Sequence, residues 1–371
     1  MNSTKPYCLV YVSNAIDGEI AVFHLDAASG KLTPHARCQA GENVMPMVLA
    51  PDRQHLHAAT RGKARHIMTW SIDARTGDLV PAGRAPIESS LAYLTLDPSG
   101  RFFVGASYGE HRVSLYAADR IAAGDGEPVQ VIDGIEHAHA AVISPDGRFV
   151  YVTSLGGDTV HAFALHHEGQ GRLDAIDEIQ LEAGFGPRHL RLSPAGDVLY
   201  VLSELRAVVA VLRRDATTGR LSLQAVSAPP PVLAHLHDGV VRPNASHPVQ
   251  PDPAMLATLV WAADLQITPD GRFLYFSERT SSRLIALRVR EDGSLDYAGC
   301  ADTEAQPRGF RIDPSGRFLV ACGEKSPYVG VYSIDAGSGA LSPVSRCEGG
   351  RGANWVEIVT PRDAASNGTP S

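Results

Sequence analysis

The chain has 371 residues and carries 33 Lys and Arg against 41 Asp and Glu, a formal net charge of −8, which excludes a general nucleic-acid or anionic-membrane surface and makes any basic site local. No run of about 18 apolar residues offers a membrane-spanning helix, and the opening Met1-Asn2-Ser3-Thr4-Lys5-Pro6 lacks the apolar stretch of a secretory leader, so a cytoplasmic protein is expected. Five cysteines, Cys8, Cys38, Cys300, Cys322 and Cys347, stand in strand-like contexts without metal-ligand spacing, which predicts reduced thiols and neither metal nor cofactor.

In chain order, Tyr7 to Val12 is the first strand. It is followed by Asp26-Ala27-Ala28-Ser29-Gly30-Lys31-Leu32, a signal that recurs at Asp73 to Leu79, Asp215 to Leu221 and Asp335 to Leu341 and precedes an outer strand each time. A second signal is a proline turn. It stands at Ala50-Pro51-Asp52, Asp97-Pro98-Ser99, Ser144-Pro145-Asp146, Ser193-Pro194-Ala195, Thr268-Pro269-Asp270, Asp313-Pro314-Ser315 and Thr360-Pro361-Arg362. Proline presets φ at the first corner, and the Gly that usually follows tolerates positive φ, so each turn closes a hairpin between a short apolar strand and a β-branched, aromatic one, as in Ala141-Val142-Ile143 and Phe149-Val150-Tyr151-Val152.

Four strands fall in each period, and a period of roughly 40–50 residues built from short strands marks the blades of a propeller. The N-terminus begins with a second-strand type and the C-terminus, Asn354 to Val359, ends with an unmatched first strand. The expected fold is therefore all-β: a seven-bladed propeller of four antiparallel strands per blade, its ring closed by strands from both ends of the chain, which removes open sheet edges. Residues 1–362 are read as one domain and Asp363 to Ser371, small and polar, as a disordered tail. One interval, Pro194 to Pro269, is long by about 28 residues. The extra segment, roughly 228–257, carries Pro229-Pro230-Pro231, His235, His237 and Asp238 and leads into Trp261, so it can reach the channel mouth as a lid or edge.

The repeat serves as a ruler for the central channel. Six residues before the turn prolines stand Met45, Ala92, His139, Arg188, Ala263, Arg308 and Trp355; ten after the first six stand Arg61, Tyr108, Leu155, Glu204, Arg279 and Glu324, with Asn14 as the N-terminal counterpart. Both positions belong to one mouth. Singly, an Arg or Glu at a strand end is a solvated ion pair. Converging on one mouth, such charges need partners or a ligand, and arginines in excess of carboxylates point to an anionic ligand. His189, next to Arg188, faces the other side of its strand or the channel edge.

The same residues carry a resemblance. Met45-Pro46-Met47-Val48, Gly186-Pro187-Arg188-His189, Ser203-Glu204-Leu205, Trp261-Ala262-Ala263-Asp264, Glu278-Arg279-Thr280 and Gln306-Pro307-Arg308-Gly309-Phe310 are similar to segments of the bacterial propeller-type lactonases, a family that includes 6-phosphogluconolactonases and a fungal carboxymuconate cyclase. The resemblance spans nearly the whole chain. It implies hydrolysis or formation of a sugar or muconate lactone by a cluster matching His139, Arg188, Glu204 and Arg279. Beside that cluster, Arg61, Tyr108, His189, Asp264, Arg308 and Glu324 are expected to bind the substrate, a small anionic sugar-acid lactone.

Lactone hydrolysis needs a base for water and cations for the oxyanion. Glu204 or His139 can supply the first and Arg188 with Arg279 the second, while Arg61 and Arg308 suit bidentate capture of a distant phosphate or carboxylate. No nucleophile elbow or phosphate-binding glycine loop is present. A cycloisomerase acting on a dicarboxylate lactone and a non-catalytic binding propeller are the alternatives.

Overall fold

A computed structural model describes residues 7–243 and 247–361. The two ends of the chain, including the expected tail from Asp363 and the last residue of the turn at Pro361, lie outside the described residues. Seven four-stranded antiparallel sheets form the blades of the expected propeller. Blades 1 to 6 begin at the inner strands Val44–Leu49, Tyr93–Leu96, Ala138–Ile143, Pro187–Leu192, Ala262–Ile267 and Pro307–Ile312. Blade 7 joins the two ends of the chain. Its inner strand Ala353–Val359 pairs with Tyr7–Asn14 in the register Leu9 to Val359 through Ser13 to Trp355, and Ser13 Oγ donates to Asn354 Oδ1 at 2.8 Å.

Each recurring signal has a physical task. In the turn at Pro98, Asp97 accepts from the amides of Ser99, Arg101 and Phe102, so one side chain holds the whole corner. The outer Asp-to-Gly turns dock neighbouring blades. Tyr151 in blade 3 donates its hydroxyl to the Gly219 carbonyl of blade 4 at 2.9 Å, and Tyr275 in blade 5 does the same to Gly339 of blade 6 at 2.7 Å. Gly219 has φ +72, and a Cβ there would strike the Phe149 ring of blade 3. Both the backbone and the blade contact therefore demand glycine. Apolar side chains between adjacent blades form the core, with Trp70, Tyr11, Phe276 and Leu199 fully buried.

The inner strands are bulged. Pairing between inner and second strands slips between Ala138 and Ala141, between Pro187 and Leu190, and between Ala262 and Leu265. A bulge inserts one residue against the partner strand and turns side chains away from strict alternation. Consecutive residues such as Arg188 and His189 are thereby both buried at the channel, at different depths.

The expected insertion follows Leu221–Val226 of blade 4. It forms a 3-10 turn at Pro231–Leu233 and a short helix at Pro253–Leu256, whose first turn is capped by Asp252. One arm is tied to the ring where the Gly239 amide donates to the Leu205 carbonyl at 2.7 Å, and the two arms are tied to each other: the His237 amide donates to the Thr258 carbonyl at 2.9 Å and the Val260 amide to the His237 carbonyl at 2.8 Å. No helix among the described residues is long and apolar enough to cross a membrane.

Candidate active site

A cavity of about 370 Å³ opens at one mouth of the channel, lined by Arg61, Tyr108, His139, Arg188, Glu204, Arg279 and Arg308 from the ring and by Arg242 and Leu256 from the insertion, among others. The strands explain the convergence. Arg188, His139 and Arg308 rise from inner strands of blades 4, 3 and 6, whereas Glu204 and Arg279 sit just past the second strands Val198–Ser203 and Phe273–Glu278.

Glu204 is the hub of this cluster. Its Oε2 accepts from Arg188 Nε at 2.6 Å and from Arg279 Nη2 at 3.0 Å, and its Oε1 from Trp261 Nε1 at 3.2 Å. Burial pushes its carboxyl up, but Arg279, Arg188, Arg242 and Arg308 outweigh burial and hold it below the usual carboxylate range. Arg188 also donates to the Ala263 carbonyl. Both guanidiniums lie at the floor, 1% and 4% exposed, and burial holds each below its ordinary pKa.

His139 lies beside this pair, 4% exposed. Burial first, then Arg188, His189, Arg308 and Arg279, hold its pKa well below 6.5, so the imidazole is neutral at physiological pH. Its Nδ1 is buried with no hydrogen-bond partner.

Around the rim the arginines are unequally paired. Arg308 Nη1 donates to Glu324 Oε1 at 2.9 Å. Arg61 Nε donates to Ser90 Oγ at 3.0 Å, and among the described residues no carboxylate forms an ion pair with it. Burial foremost, with Arg308 adding repulsion, lowers its pKa to about 10. The Arg242 and Arg279 guanidiniums stack on the Trp261 ring, 3.2 and 3.5 Å from its centre. Tyr108 donates its hydroxyl to the Arg242 carbonyl at 2.7 Å and so fastens the insertion over the mouth.

Three of the expected substrate contacts stand elsewhere. His189 and Asp264 do not line the cavity; they form a buried pair deeper in the channel, Nδ1 to Oδ1 2.8 Å. Glu324 is likewise off the lining and serves Arg308. His235, His237 and Asp238 of the insertion also miss the lining, and Asp238 faces Arg206 at 3.7 Å on the outer side. Arg242 was not anticipated. Its signal was available in the Val241-Arg242-Pro243 segment, the one arginine of the insertion, but repeat spacing assigns no channel position to an inserted residue.

A family model described as a seven-bladed β-propeller lactonase matches residues 9–358. The chain is 37% identical over 353 residues to a protein of Pectobacterium carotovorum named 6-phosphogluconolactonase, covering 95% of this chain and 98% of that one. It is 35% identical to a protein of the same name from Photorhabdus laumondii, again over 95% and 98% of the two chains. The fold is similar to that of a periplasmic gluconolactonase of Pseudomonas aeruginosa, with a TM-score of 0.79 at 24% identity over 96% of this chain and 100% of the other.

Proposed function

This chain belongs to the seven-bladed β-propeller lactonase family, and from that premise we propose that it hydrolyses 6-phosphogluconolactone to 6-phosphogluconate. The observation that carries the substrate is charge imbalance at the mouth. Five guanidiniums, of Arg61, Arg188, Arg242, Arg279 and Arg308, meet two carboxylates, Glu204 and Glu324. Glu204 is consumed by Arg188 and Arg279, and Glu324 by Arg308, which leaves Arg61 and Arg242 for a phosphate. The relatives named 6-phosphogluconolactonase support the same substrate.

His139 is assigned as the base and Glu204 as the group that positions the arginines. In support, both Glu204 oxygens are already engaged by Arg188, Arg279 and Trp261, which leaves that carboxylate committed to the cluster, whereas the His139 ring lines the cavity without such partners. The neutral imidazole keeps its lone pair. It removes a proton from water as the oxygen attacks the lactone carbonyl carbon, and Arg188 and Arg279 stabilise the oxyanion. When the intermediate collapses the ring C–O bond breaks, and the leaving oxygen takes the proton back from His139. Water is consumed and the hydroxy acid is released.

The test is acid release from freshly made 6-phosphogluconolactone beside glucono-δ-lactone and a muconolactone. A kcat/KM about 10- to 10²-fold in favour of the phosphorylated lactone is expected, because one charge-assisted bidentate contact contributes about 1.5–3 kcal/mol. Equal rates on the two sugar lactones, or a preference for the dicarboxylate lactone, would overturn the substrate.

A further inference from the structure

At the cavity floor the His139 imidazole meets the buried His189 imidazole, and each has an unmet hydrogen bond. His139 Nδ1 and His189 Nε2 are both buried without a partner, and the two rings stand edge to face with centres 5.4 Å apart. The two nitrogens make no direct hydrogen bond in the structure, but with ring centres 5.4 Å apart a small ring rotation or one bridging water joins them. The residues are 4% and 2% exposed, and buried polar atoms with no partner are rare enough to demand a cause.

Asp264 decides which nitrogen carries the proton. Its Oδ1 accepts from His189 Nδ1 at 2.8 Å and from the Leu265 amide at 2.8 Å, and its Oδ2 from the Phe310 amide at 3.1 Å and Gln266 Nε2 at 3.2 Å. Burial raises its pKa, but His189, Arg191 and Arg311 outweigh that, so it is an ionised acceptor. His189 Nδ1 must therefore be the donor. Burial and Arg188 keep His189 neutral, so its Nε2 holds a lone pair. Only a donor can meet that lone pair.

We propose that Asp264 and His189 are positioning residues that fix His139 in the tautomer with the proton on Nδ1, through a hydrogen bond from His139 Nδ1 to His189 Nε2, direct or through one water. This rests on the reading of His139 as the base. His139 Nε2 then carries the lone pair that takes the proton of the attacking water and returns it to the leaving ring oxygen, while Asp264 and His189 exchange no proton. The groups that bear on His139 are Tyr108 of blade 2, Arg188 and His189 of blade 4, Arg279 of blade 5 and Arg308 of blade 6. Those that bear on His189 are Asp264, Arg188, Arg191, Tyr93 and Trp355. The arginines disfavour a second proton on either ring, so tautomer rather than charge is what remains to be set.

The test compares His189→Leu, His189→Gln and His139→Gln on 6-phosphogluconolactone, with melting temperatures and long-range nitrogen–proton NMR of the His139 ring. Glutamine at 189 can donate its amide to Asp264 and accept from His139 with its carbonyl, whereas leucine can do neither. Loss of the base in His139→Gln should lower kcat at least about 10²-fold. His189→Leu should lower kcat by a comparable factor at nearly unchanged KM, and His189→Gln should stay within about tenfold of wild type. NMR should find the His139 proton on Nδ1 in the wild-type protein and divided between the nitrogens in His189→Leu. Wild-type kcat in His189→Leu with an inactive His139→Gln would remove the positioning role and leave the base assignment standing. Equal impairment of His189→Leu and His189→Gln would reduce His189 to packing, and an active His139→Gln would remove the base assignment itself. If His189→Leu fails to fold, a wild-type His139 proton on Nε2 is enough to overturn the proposal.

Discussion

Arg61→Met should make the free protein more stable and the enzyme worse. Arg61 is charged at pH 7 in both folded and unfolded states, yet its pKa falls from 12.5 to about 10 because burial and Arg308 penalise the cation. Each pKa unit is worth about 1.36 kcal/mol, so the native state bears up to about 3 kcal/mol for holding this charge, less the screening that its residual exposure allows. Methionine fills similar volume without the charge, and its cost is the hydrogen bond to Ser90, about 1 kcal/mol. The net expectation is a gain of about 1–2 kcal/mol, read as a rise of a few degrees in Tm. On 6-phosphogluconolactone kcat/KM should drop about 10- to 100-fold, one lost charge-assisted contact, while glucono-δ-lactone turnover stays near wild type. Inorganic phosphate should raise the Tm of the wild-type protein and leave the variant nearly unmoved, since a ligand stabilises only the state that binds it. A destabilised Arg61→Met protein, or equal losses on both lactones, would refute the reasoning.

Glu204→Gln should strand two buried guanidiniums and cost about 3–5 kcal/mol of stability together with at least about 10²-fold in kcat; a variant that matches wild type in denaturant melts and turnover would show that Arg188 and Arg279 do not depend on it. Deleting the chain from Ala353 onward removes the inner strand of blade 7, whose Trp355, Val356, Ile358 and Val359 are buried, and should abolish cooperative unfolding; a truncated protein with the wild-type melt would sink the closure argument. His57 is held neutral with its pKa lowered to about 4, chiefly by burial, against about 6.5 unfolded. The unfolded chain therefore binds the extra proton first, and the contribution is complete above pH 6.5 and lost on acidification toward pH 4, about 3 kcal/mol in all. Urea melts across that window should be flatter for His57→Gln than for wild type by this amount, and parallel curves would show that His57 titrates normally.

The architecture was legible because it is written in local chemistry. Turn prolines, the Asp-to-Gly corners and alternating apolar strands each act within about ten residues, and their period gave the seven blades and the joint closure of Tyr7–Asn14 with Ala353–Val359. The same ruler brought His139, Arg188, Glu204, Arg279, Arg61 and Arg308 to one mouth, because equivalent positions of equivalent blades must converge on the axis. Depth along that axis was not legible. It depends on bulges that break alternation at Pro187 to Leu190 and Ala262 to Leu265, and these sent His189 and Asp264 one layer below the cavity they were expected to line. Nor could spacing place Arg242, which is held at the mouth by the bonds of Tyr108 and Leu205 to the insertion and by the Trp261 ring. A sequence fixes periodicity through the backbone's own geometry, whereas side-chain depth, pairing and pKa arise from neighbours distant in the chain, which only the closed ring brings within hydrogen-bonding range.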